Sequence, residues 1–175
     1  MTDIRYPVGK FQKQESITDA QREQCIREIA EAPSKLRSAV AGLSDQQLNT
    51  PYRDGGWTVK QVVHHLPDSH LNAYIRFKLV LTEQQPNIKT YHENLWAELH
   101  DARNAPIETS LTLLESLHTR WVMFLKSLQP QDFDRTLNHP DNGIMKIHTL
   151  LQMYAWHGRH HVAHITSLKE RMGWK

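Results

Sequence analysis

Apolar residues recur along most of this chain at three- and four-residue spacing, and no stretch alternates polar with β-branched residues over the length of a strand. The pattern predicts an all-α fold. "TDAQ" at residues 18–21 reads as a capping box, and a helix follows to about Gly42 with Ile26, Ile29, Leu36 and Val40 on one face and a kink at Pro33. "SDQQL" at residues 44–48 starts a short helical turn, and "NTPYRDGG" is a loop by its Pro, Asp and Gly content. Thr58 opens a second long helix through "TVKQ", which runs to about Leu81 with a bend expected at Pro67.

After the loop "QQPNIKTY" comes a short helix, "HENLWAELHDA", an excursion that either connects two long helices or covers a pocket. The third long helix begins near Pro106 and carries Ile107, Leu111, Leu114, Trp121, Phe124, Leu125 and Leu128 as its apolar stripe. "HPDNG" at residues 139–143 is a turn, and the last helix runs from about Lys146 to Met172 and stops at Gly173. Four long helices with one larger crossover predict a four-helix bundle, a single domain over residues 1–175 with an irregular N-terminal arm at residues 1–17.

Composition narrows the setting. A chain of 175 residues buries roughly two thirds of its unfolded surface and needs no external staple. Cys25 is the only cysteine, so no intrachain disulfide forms and a cytoplasmic location is expected. The formal net charge of +2 comes from scattered residues, which argues against a nucleic-acid partner; no window approaches the roughly eighteen apolar residues of a membrane span, and no signal peptide is visible.

Histidine changes the picture. The chain has 12, and "YAWHGRHHVAHI" at residues 154–165 holds His157, His160, His161 and His164. At about 100° per residue with His164 at zero, His160 falls at about −40°, His157 at about +20° and His161 at about +60°, the sector of Leu150, Met153 and Leu168. Gln152, Arg159 and Glu170 mark the wet side. Both His160 with His164 and His157 with His161 have the i, i+4 spacing that lets two imidazoles converge on one ion, so helix geometry does not choose between the pairs. A third ligand is expected from "VVHHLPDSH", where His65 borders the apolar arc of Val62, Leu66, Ala73 and Phe77. His64 falls away from that arc and reads as a surface or supporting residue, and His70 is ambiguous. The competing reading is a set of core histidines satisfied by hydrogen bonds.

These residues, with "PYRDGGWTVKQVVHHLPDSH", "YIRFKL", "AHIT" and the terminal "RMGW", resemble the DinB/YfiT superfamily, in particular its branch from bacilli, over nearly the whole chain. The resemblance implies a four-helix bundle, commonly a homodimer, with one divalent metal ion on three histidines, one in a W-x7-H stretch and two in an H-x3-H pair. Carried onto this sequence, the motif falls on Trp57 with His65, and on His160 with His164. It also implies a metal-dependent enzyme, either a hydrolase or a transferase of a low-molecular-weight thiol such as bacillithiol.

Three neutral imidazoles leave the ion, zinc or nickel first among the candidates, its full charge and an open position for a water or a thiol. A hydrolase needs a carboxylate to handle the water, and no HExxH helix supplies one. Thiol transfer to a small electrophile is therefore the first expectation, hydrolysis the second, and a non-enzymatic metal scaffold or sensor the third. No catalytic side chain is assigned, but His161 and His157 are candidates to support a ligand or to face substrate, with ordinary packing as the alternative, and Asp68 is a candidate partner for His65 or a solvated helix residue. Arg76 and Arg159 offer guanidinium groups to the carboxylates of such a thiol, and Trp57 reads as a packing anchor.

Overall fold

Helix starts are fixed by side chains that satisfy the first exposed amides. Thr18 Oγ1 accepts from the Gln21 amide at 3.2 Å while Gln21 Oε1 accepts from the Thr18 amide at 2.8 Å, and Thr58 with Gln61 repeats the arrangement at 3.1 and 3.0 Å. In the computed structural model, which describes residues 3–174, the elements are α1 (Asp19–Val40), α2 (Asp45–Leu48), α3 (Val59–Thr82), α4 (Glu93–Trp96), α5 (His100–Asn104), α6 (Ile107–Ser127), a 3-10 turn (Pro130–Asp134), β1 (Thr136–His139), β2 (Gly143–Lys146) and α7 (Ile147–Met172). Gly173 ends α7 at a φ of 64°, a left-handed value that a residue without Cβ adopts freely. Helix α3 continues unbroken through Pro67.

The four long helices form the bundle: α1 packs on α7 and α6, and α3 packs on α6 and α7. Two apolar layers fill it. One gathers Ile29, Phe77, Trp121, Leu150 and Leu151; the other gathers Leu36, Val62, Leu66, Leu114 and Ile165. Between them, at the middle turns of α3, α6 and α7, lie His70, His118 and His157. Helices α1 and α7 approach closely at this level, where a Cβ on Gly158 would stand 3.0 Å from the Ala32 Cβ.

Two features depart from the sequence reading. Residues 136–146 form a small antiparallel hairpin, with Leu137 opposite Met145, both turned into the core. Its two strands have four residues each, too few for an alternation to register. Of the N-terminal arm, whose first two residues lie outside the described ones, residues 3–17 form no helix or strand and lie along α7: the Gln14 amide donates to Gln152 Oε1 at 3.0 Å, Trp156 Nε1 donates to the Gly9 carbonyl at 3.0 Å, and Gln152, expected on the wet side, is buried. Among the described residues no helix is long and apolar enough to cross a membrane.

Candidate metal centre

The middle turns of α7 place His157 and His161 one above the other, and α3 brings His65 across from them. His161 Nε2 is 3.2 Å from His157 Nε2, and His65 Nε2 is 3.3 Å from the same atom. One ring nitrogen from each of the three lies within 4.8 Å of the others. Ligand atoms about 2.0–2.1 Å from a tetrahedral zinc sit about 3.3–3.4 Å apart, so two edges of this triangle have the span a cation requires. The donor set fits as well: three imidazoles with their Nε2 edges converging, all lining one cleft of about 890 Å³.

Burial, with the neighbouring imidazoles, pushes His65 down to about 4 and holds His157 and His161 well below the ordinary histidine range. At neutral pH these rings are uncharged, as metal ligation demands.

The family motif carried onto this sequence joins His65 to His160 and His164, whereas the structure brings the ring nitrogens of His65 together with those of the other i, i+4 pair. His164 Nε2 donates to the carbonyl of Arg5 at 3.0 Å, which places its proton on Nε2, and its ring stacks on Tyr52 at 4.0 Å. His160 stacks on Trp156 at 4.3 Å, and Tyr6 of the arm lies 5.8 Å away between ring centroids. Both line the cleft beside His161, at 5.0 and 5.3 Å between ring centroids, but they are also held by Tyr6 and Arg5 of the arm and by Tyr52 of the loop after α2. The helical wheel gave the four histidines one wall and carried no information about the arm that covers part of it.

Other expected residues divide. Trp57 stands beside the cluster, 4.6 Å from His65 and 6.3 Å from His161 between ring centroids, so the packing anchor also walls the site. Arg76 is buried on the cleft wall, with Nη2 donating to the Lys89 carbonyl at 3.0 Å and Nη1 to Tyr154 Oη at 3.4 Å. Arg159 faces α1 instead, pairing with Glu28 at 3.0 Å. Asp68 is outside the cleft wall; burial raises its carboxyl to about 6, helped by Asp101. His64 is not a surface residue: Nδ1 meets Ser110 Oγ at 2.7 Å, and Nε2 donates to the Ala105 carbonyl at 3.1 Å. The α4–α5 excursion covers that side of α3, with Gln61 Nε2 donating to the Ala97 carbonyl at 2.8 Å. Burial pushes the Cys25 thiol up to about 11, which leaves it unreactive.

His118 was not singled out from the sequence. It is buried on α6 with Nδ1 2.6 Å from the Ile29 carbonyl and Nε2 2.7 Å from His70 Nδ1, and His70 Nε2 lies 3.0 Å from His157 Nδ1. A signal was present: His118 sits in the stripe Leu111, Leu114, His118, Trp121, Leu125, where a polar ring among apolar neighbours calls for a partner.

Comparison with known proteins places this architecture. Residues 28–165 match the DinB superfamily model, and the chain belongs to that superfamily. It is 53% identical over 174 residues to proteins of Bacillus cereus (strain AH820) and Bacillus mycoides (strain KBAB4), each named "Putative metal-dependent hydrolase", with 99% of this chain and all of each relative covered. The solved structure of YfiT from Bacillus subtilis, described as a probable metal-dependent hydrolase with an unusual four-helix bundle topology, superposes with a TM-score of 0.97 at 50% identity, covering 99% of this chain and all of that one. TT2238, another four-helix bundle protein, has a TM-score of 0.57 at 18% identity over 81% of this chain and 94% of its own, a likeness of fold alone.

Proposed function

We propose that the chain is a metal-dependent enzyme in which His65, His157 and His161 hold one divalent cation through Nε2. The convergence of those three atoms on the wall of a cleft carries this reading. The all-nitrogen set suits zinc or nickel. A cation held by three neutral ligands supplies a Lewis acid that favours the deprotonated form of a water or thiol at its remaining position.

The fuller reading is transfer of a low-molecular-weight thiol, of the bacillithiol type, to a small electrophile. Two observations support it over hydrolysis. The converging groups include no carboxylate, and the acidic residues on the cleft wall, Glu93 and Asp141, belong to α4 and to the hairpin turn. Arg5, Arg53 and Arg76 also line the cleft, a cationic wall suited to an anionic thiol. Trp57 and Tyr154 shape the cleft beside the cluster and limit the approach of bulk water. Hydrolysis is the second reading, favoured by the names that the relatives carry.

The test is incubation of metal-loaded protein with bacillithiol and monochlorobimane, beside a panel of esters and amides. Rate enhancement that needs both metal and thiol is expected. Thiol-independent cleavage of the panel, with no effect on the bimane reaction, would replace transfer by hydrolysis.

A further inference from the structure

The buried row that starts at the Ile29 carbonyl has only one consistent arrangement of its hydrogens. A carbonyl oxygen can only accept, so His118 Nδ1, 2.6 Å away, carries a hydrogen and donates it. With that hydrogen on Nδ1, His118 Nε2 is the bare nitrogen and accepts from His70 Nδ1 at 2.7 Å. His70 Nε2 is then bare in turn and accepts from His157 Nδ1 at 3.0 Å. Three contacts are filled by three hydrogens, one per ring. His157 is left with its lone pair on Nε2, the atom that faces His65 and His161.

From this we infer that His118 and His70 are positioning residues, which transmit the direction of the Ile29 carbonyl through two rings and hold His157 in the tautomer and orientation that present Nε2 to a cation. The inference rests on the reading of His157 as a ligand. The imidazoles of metal sites ordinarily donate their second nitrogen to a carboxylate, carbonyl or water. Here the acceptor for His157 is another imidazole, and the carbonyl that sets the polarity lies two rings away on α1. Both intermediate rings are enclosed by protein, His70 at 0% and His118 at 2% exposure, so their hydrogen-bond partners are one another and not solvent. They stack at 4.9 Å between centroids with Trp121 edge-on to each, which fixes ring rotation as well as tautomer.

Two substitutions separate this role from simple core filling. His118→Gln places a carbonyl oxygen where Nε2 stood and keeps an acceptor for His70. His118→Asn keeps a donor toward Ile29 and offers His70 nothing. Long-range 1H–15N spectra of metal-free, 15N-histidine-labelled protein read the tautomers directly, and competition between zinc ion and a chromophoric chelator reads affinity. The expected result is a bare Nε2 on His157 in the wild type and in His118→Gln, with zinc affinities within about threefold of each other. His118→Asn should show mixed tautomers at His157 and bind zinc about 10–100-fold more weakly. A hydrogen on Nε2 of His157 in the wild type overturns the inference even if His118→Asn does not fold, and so does equal behaviour of the two variants. Because the tautomers are read without metal, failure of His157 as a ligand leaves a bare Nε2 with no zinc bound, an outcome distinct from failure of the relay.

Discussion

His164 Nε2 donates to the backbone carbonyl of Arg5 at 3.0 Å, a contact that spans 159 positions of sequence. It ties the N-terminal arm to α7 and occupies one of the two histidines that the family motif had offered as ligands. His164→Ala should therefore free the arm while leaving metal binding within a few-fold. Limited proteolysis is expected to cut the variant before residue 17 much faster than the wild type, with unchanged metal content. Loss of metal alongside an arm that stays protected would contradict this.

Acid should weaken the fold in a defined window. His65 and His118 are each held at about 4, against about 6.5 in an unfolded chain. As pH falls through that interval the unfolded chain takes up protons that the native state refuses, so stability is fully present above about pH 6.5 and declines towards pH 4. Urea midpoints of the metal-free protein at pH 7, 6, 5 and 4 are expected to fall steadily. A midpoint that holds level down to pH 4 would show that the rings are charged or exposed in the native state.

The close approach of α7 to α1 at Gly158 leaves no room for a branched side chain. Gly158→Val is expected to cost about 1–3 kcal/mol by overpacking against Ala32. Ala32→Gly in the same chain should return part of that loss, which a double-mutant cycle on urea unfolding measures.

His64 bridges α3 to α6 and to the end of α5 without joining the metal cluster. His64→Ala leaves the Ser110 hydroxyl and the Ala105 carbonyl without this partner, at a cost of about 1–3 kcal/mol. Chemical denaturation should register that cost while metal stoichiometry stays unchanged.

Local signals in the sequence carried far. The caps at Thr18 and Thr58, the stop at Gly173 and the apolar stripes of the long helices all depend on neighbours within a few positions, and each lies where the pattern put it. The inward placement of His65 was legible for the same reason. Which α7 pair stands nearest His65 was not, because the wheel treats both i, i+4 pairs alike and does not see Arg5, Tyr6 and Gly9, which reach His164, His160 and Trp156 from the far end of the chain. His64 was misplaced through a similar gap: a helical wheel sees one buried face, whereas α3 is covered on a second side by α4 and α5. The bundle that the pattern predicted accounts for the long helices but not for the hairpin at residues 136–146, which also bonds to the loop after α3, the Ile88 amide donating to the Asn138 carbonyl at 3.1 Å.

The most direct test of the three-histidine centre is elemental analysis of protein made without a histidine tag, for the wild type and five alanine variants. His65→Ala, His157→Ala and His161→Ala are predicted to lose the ion, whereas His160→Ala and His164→Ala keep about one equivalent per chain. Metal retained in His157→Ala and lost in His164→Ala would contradict the assignment.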